Sequence, residues 1–117
     1  MATYIIPGQI FTAVNAATGT GTGASVPFVI AATQTGQPRL IAFQCSGTYS
    51  VCTVNLQSSF DGGNTWQTIG AAVDFYANPA GNLTTFFATG VIVAGPQYRL
   101  SLATFTGTSI TVSLAVS

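Results

Sequence analysis

Apolar side chains recur at every second position towards the end of the chain. Tyr98, Leu100 and Leu102 alternate with Arg99, Ser101 and Ala103, and Ile110, Val112, Leu114 and Val116 alternate with Thr111, Ser113 and Ala115. A period of two puts one set on one face of a β-strand and the other set on the opposite face, whereas a helix of about 3.6 residues per turn would scatter both. The pattern returns at Ile41, Phe43 and Cys45 and again at Cys52, Val54 and Leu56, and no stretch keeps a helical period. Val, Ile, Thr, Phe and Tyr suit a pleated, half-buried surface, and Gly and Pro interrupt them at short intervals. The expected fold is all-β: an antiparallel two-sheet β-sandwich or jelly roll of about eight short strands.

Two hairpins are expected. Opposed residues share a face, so the loop must keep the apolar sets together. For 98–116 a three-residue loop Phe105-Thr106-Gly107 with a bulge does so. For the segment around Ile41 to Leu56 the turn falls at Gly47-Thr48-Tyr49-Ser50. That turn sets Cys45 opposite Cys52, at a Cβ separation of about 4.5–5.5 Å, beyond the roughly 3.5–4.5 Å of a relaxed disulfide. A cross-strand disulfide is within reach but strained. The start of the chain shows no basic or apolar leader, so two buried free thiols are expected.

Further strands are expected near residues 9–15, 25–31, 66–69, 73–76, 83–88 and 91–94, with Pro27 marking an edge or a strand start. Phe11, Phe28, Phe43, Trp66, Phe75 and Phe86 would supply most of the core. The repetitive stretch from Ala16 to Gly23 reads as a flexible loop. Residues 9–117 form the expected single domain, and residues 1–8 a flexible arm whose Tyr4-Ile5-Ile6 run would contact a partner.

Charge narrows function. Charged residues are 3% of the chain, against roughly 25% in ordinary soluble domains. They are Arg39, Asp61, Asp74 and Arg99, with no Lys, Glu or His. Without His, neither a Ser-His-Asp nor a Cys-His arrangement can be built. The two Cys cannot complete a tetrahedral zinc site alone. Asp61 and Asp74 are the only pair available for carboxylate chemistry. Two arginines at zero formal net charge make no phosphate-binding patch, and no apolar run approaches the roughly 20 residues of a spanning helix. The expectation is a non-enzymatic protein with no cofactor, no nucleic acid and no membrane. A surface rich in Thr, Ser, Gly and Ala suits a protein covered by neighbours in an assembly.

The sharpest motif is Ser59-Phe60-Asp61-Gly62-Gly63-Asn64-Thr65-Trp66. Its form, S-x-D-x-G-x-T-W, is similar to the Asp-box of sialidases and other β-propellers, a structural hairpin element. The Asp carboxylate can accept turn amides, glycine admits left-handed backbone, and the Trp packs beneath the hairpin as core. Ser59, Asp61, Gly63, Thr65 and Trp66 are therefore read as a structural turn. A propeller repeats the box in every blade, and sialidase chemistry needs an arginine cluster and a glutamate; this chain has one copy and no Glu. A calcium role for Asp61 lacks the several carboxylates such sites use. An aromatic sugar-binding face built on Trp66 or on Tyr4, Tyr49, Tyr76 and Tyr98 is the alternative for a binding module.

The turn motif, the preceding alternating strand and the ending Y-R-L-S-L-A-T-F-T-G-T-S-I-T-V-S-L together resemble small virion proteins of tailed phages, in style over residues 39–117. The resemblance implies a capsid decoration (cement) protein, often a β-sandwich and commonly a homotrimer, bound to the major capsid protein on the outside of the shell. It implies synthesis in a host cytoplasm and residence in the virion, and it carries over no catalytic or binding residues. Tail and neck components share the style.

Overall fold

The two long alternating segments dominate the architecture, but as continuous strands. The computed structural model describes residues 3–6, 8–31, 39–75, 86–92 and 95–116, with 39–40, 70–75 and 86–92 described by backbone course. In chain order the strands are β1 (Thr3–Ile5), β2 (Phe11–Ala17), β3 (Phe28–Ile30), β4 (Arg39–Ser59), β5 (Gln67–Phe75), β6 (Phe86–Ile92) and β7 (Gln97–Val116). The described residues contain no helix.

Neither expected hairpin forms. β4 and β7 pair antiparallel with each other from Ile41↔Val116 to Ser59↔Gln97. Alternation on both sides of a glycine fits two strands folded back or one strand running through, and full-length pairing leaves each long strand a second edge for neighbours. A straight strand the length of β7, 20 residues, would run about 66 Å. The longest extent of the molecule is 42 Å, so the ribbon bends.

Residues left over from the ladder bend the strands that carry them. Thr48 pairs with Ser109 and Tyr49 with Gly107, which leaves out Thr108. Val51 then pairs with Thr106, omitting Ser50, and Val54 with Leu102 after Thr53 with Thr104, omitting Ala103. Each extra residue turns its own strand over and increases its twist. In β4 the inward positions therefore change from Ile41, Phe43, Cys45 and Tyr49 to Cys52, Val54 and Leu56. In β7 two extras cancel: inward positions run from Ile110–Val116 through half-buried Phe105 back to Leu102, Leu100 and Tyr98.

Gly47 and Gly107 sit in this region for want of space. A Cβ on Gly107 would lie 2.5 Å from the Tyr49 Cα and 2.6 Å from the Thr48 carbonyl oxygen. One on Gly47 would run into the Ser109 carbonyl and come within 3.0 Å of the Ile110 Cα. Close approach of two backbones is the second use of glycine in strands, besides turns.

Around the ribbon, β6 pairs with the first part of β4 and β2 with the last part of β7. Towards the other end β5 pairs with β4 and β3 with the start of β7. β1 joins β3 in parallel, so the sheet is mixed rather than wholly antiparallel. Thr3–Ile5 is thus a strand of the sheet, not a free arm, and Ile5 is fully buried. β3 begins directly after Pro27, as a strand start. The segments expected at 66–69 and 73–76 merge in β5, and those at 83–88 and 91–94 in β6; Tyr76, 83–85 and 93–94 lie outside the described residues, as do the side chains of Phe75 and Phe86. Within 16–23, Gly21 exchanges both backbone hydrogen bonds with Leu102, at 2.9 and 3.0 Å.

One core joins both ends of the ribbon. The ring of Phe28 on β3 is 5.5 Å from that of Phe11 on β2 and 5.8 Å from that of Tyr98 on β7. Tyr49 and Tyr98, expected as surface candidates, are buried in this cluster. Cys45 and Cys52 are buried free thiols on the same strand, not opposed across a turn. The Cys45 sulfur is 2.9 Å from the Tyr49 hydroxyl. Burial, with Cys45 nearby, pushes the Cys52 thiol up to about 12, which keeps it in its unreactive thiol form at neutral pH.

Candidate functional site

β4 ends at Ser59 and β5 begins at Gln67, and the connection is the S-x-D-x-G-x-T-W motif. Asp61 organises it. Its Oδ1 accepts hydrogen bonds from the Ser59 hydroxyl at 2.8 Å, the Thr65 amide at 2.9 Å and the Asn64 amide at 3.1 Å. Ser59 Oγ in turn accepts the Gly63 amide at 2.9 Å, and the Asn64 side-chain amide donates to the Asp61 carbonyl at 3.1 Å. Gly62 and Gly63 have φ of 77° and 95°, values open to glycine and costly for other residues. The Thr65 amide, then the Ser59 and Thr65 hydroxyls and the Asn64 amide, hold the Asp61 carboxyl down to about 2, because each donor favours the ionised form.

Trp66 does not enter the core. Its indole N–H donates to the Gly63 carbonyl at 2.9 Å, tying the ring to the turn. The Arg99 guanidinium carbon lies 4.2 Å from the ring centroid, and Arg99 Nε donates to Gln57 Oε1 at 2.7 Å. Gln57 and Arg99 are cross-strand partners on the outward side of the ribbon, so Trp66 is a half-buried outer residue, with Arg99 over its ring. One face of the Trp66 ring is thereby occupied, and Arg99 is engaged by both Trp66 and Gln57. Among the described residues, no three of His, Cys, Asp and Glu come together.

What the rigid turn does present is Phe60, 84% exposed, at the first of the motif's three variable positions. On one side it borders a cleft of about 360 Å³ lined with Ser58, Asp61, Thr65 and Gln67. On the other it borders one of about 400 Å³ whose walls include Tyr4, Val29, Pro96 and Gln97. Tyr4 is 69% exposed on β1, and Ile6 is exposed beyond it; only Ile5 of the expected contact run is taken into the core. The structure therefore brings Tyr4 to the same cleft as the turn, a juxtaposition of positions far apart in the chain. Phe60 escaped sequence reasoning because the motif fixes its flanks and leaves its own position free. An apolar residue within a polar turn was the available signal.

No protein-family model, curated protein or solved structure matches the chain.

Proposed function

We propose that this chain is a non-enzymatic structural virion protein of a tailed phage, a two-sheet β-sandwich that decorates the outside of the capsid and stabilises it by bridging major capsid proteins. The observation that carries the reading is the set of large apolar side chains left exposed among the described residues, Tyr4, Ile6, Ile10, Val51 and Phe60, on a chain with hardly any charge. Such side chains on a chain with so few charges to resist association fit a protein that is covered when it works. A shell repeats one contact many times, so modest affinity per site becomes large avidity. The protein self-associates as a homotrimer and is made in the host cytoplasm. Light scattering of the pure protein, alone and with expanded empty phage shells, tests this. A trimer that binds shells in fixed proportion is expected, and a monomer that leaves them bare would refute it.

The cleft beside Phe60 favours a second reading, a carbohydrate-binding module. An exposed ring next to the hydroxyl, carboxylate and amide groups of Ser58, Asp61, Thr65 and Gln67 is a suitable arrangement for a neutral sugar. Glycan binding lost on Phe60→Ala, with the fold intact, would select this reading over the capsid one.

A further inference from the structure

β1 is the last strand on its side of the sheet. In a parallel ladder a residue turns both of its main-chain groups to the same side, and successive residues turn to opposite sides. The Thr3 amide donates to the Pro27 carbonyl at 3.0 Å, and the Ile5 carbonyl accepts the Ala31 amide at 2.7 Å. Thr3 and Ile5 therefore serve β3, and the N–H and C=O of Tyr4 point away from the sheet. Among the described residues no strand pairs with that outer edge. Natural edge strands are usually blunted by shortness, lysine, inward charge, proline or a bulge; β1 is short, at three residues, and Pro7 follows it, but residues 3–6 themselves hold no charge and no proline. The same alternation buries Ile5 and leaves Tyr4 and Ile6 exposed.

The Tyr4 side chain also walls the 400 Å³ cleft, opposite a Phe60 whose backbone is fixed by the Asp61 hydrogen bonds. None of the described residues lining this cleft is charged. A side chain carried on a fixed backbone loses less freedom on docking than one carried on a mobile loop. We propose that the outer edge of β1 and the Tyr4–Phe60 cleft form one docking groove for an extended, uncharged segment of a partner polypeptide. The segment adds as a strand beside Tyr4 and seats an apolar side chain between Tyr4 and Phe60. Open main-chain donors and acceptors give such additions their affinity, and pockets for alternate side chains give them specificity. The inference rests on the capsid reading, for which it names the chemistry of the partner, yet it can be tested without a capsid.

The test titrates an acetylated and amidated Thr-Val-Thr-Val-Thr-Val peptide into the labelled full-length protein, followed by amide NMR. Tyr4→Pro removes an N–H that bonds nothing within the sheet, so the edge is blocked while the internal ladder stays intact. Phe60→Ala empties the cleft from an exposed turn and serves even if the proline variant fails to fold. Val51→Ser, at an exposed position on β4, is the control. The Tyr4 amide of the wild type should shift on titration, with both groove variants about tenfold weaker or more and the control unchanged. Equal binding by wild type and the groove variants, or no shift at Tyr4, would overturn the groove. A Tyr4 amide that moves on dilution of the protein alone and ignores the peptide would give the edge to a second copy and equally overturn it. If the peptide binds as expected and shells stay bare, the groove stands and the capsid reading falls.

Discussion

Two residues show how differently a turn-forming amino acid can act. Gly107 faces the backbone of Tyr49 and Thr48, with no room for a methyl group, whereas a Cβ on Gly19 would meet nothing within 4 Å. Gly107→Ala must push two paired backbones apart and is expected to cost about 3 kcal/mol, the upper end for overpacking. Gly19→Ala should stay within about 0.5 kcal/mol of the parent. Urea midpoints at constant slope measure both, and equal midpoints would contradict the close approach. Asp61 gives a pH signature. Its carboxyl is held below its ordinary 3.8, at about 2, by the donors of its own turn. A depressed folded-state value contributes stability that is complete above the unfolded value and is lost as pH falls through the folded one. The melting difference between wild type and Asp61→Asn should be constant from neutral pH down to about 4 and shrink between there and about 2. A difference that does not change across that window would show that the turn amides do not favour the carboxylate.

In β4 and β7 the three leftover residues do a count that the sequence displays only partly. Ser50 in β4 and Thr108 in β7 offset one another in the register, while Ala103 supplies the net step that keeps Val54 facing inward with Leu102. Deleting either Ser50 or Thr108 alone shifts everything beyond it by one position and turns an apolar row outward. Deleting both restores the register. The double deletion should therefore be more stable than either single one, a non-additivity of the kind seen between coupled sites, readable by thermal unfolding. Strictly additive losses would mean that the two bulges do not compensate. The β class was legible in the sequence because alternation at Tyr98–Leu102, Ile110–Val116 and Ile41–Cys45 is a local property. The connection was not, because Gly47 and Gly107 look alike whether they turn a chain or let two strands touch. The motif at 59–66 was legible in its hydrogen bonds, all of which span a few residues. Its Trp66 was misplaced, since the guanidinium that covers it comes from Arg99, on β7. The Tyr4–Phe60 cleft was illegible for the same reason: its walls meet only through the order β1-β3-β7-β4.

At the scale of the whole molecule, the forces available for assembly can be ranked. Of the four charged residues, Asp61 is engaged by its turn and Arg99 by Trp66 and Gln57. An exposed ion pair contributes about 0–1 kcal/mol in any case. Burying an aromatic side chain removes about 150–250 Å² from water, a gross gain of about 4–6 kcal/mol. Tyr4 and Phe60, exposed by 69% and 84%, hold most of that in reserve. Against this, association costs about 4–15 kcal/mol of lost freedom, so a single contact is weak and, on the proposed capsid reading, repetition over a shell supplies the rest. The driving force is then apolar burial, which salt screening does not touch. Raising sodium chloride from about 0.1 to 1 M shortens the screening length from about 10 to 3 Å, and shell binding should change by no more than about twofold, since a charge-driven contact alone would weaken steeply over that range. Calorimetry of the same binding should show a negative heat-capacity change, the signature of apolar surface leaving water. Binding that collapses in salt would place the attraction in charges, which this chain scarcely has, and would remove the apolar face as its cause.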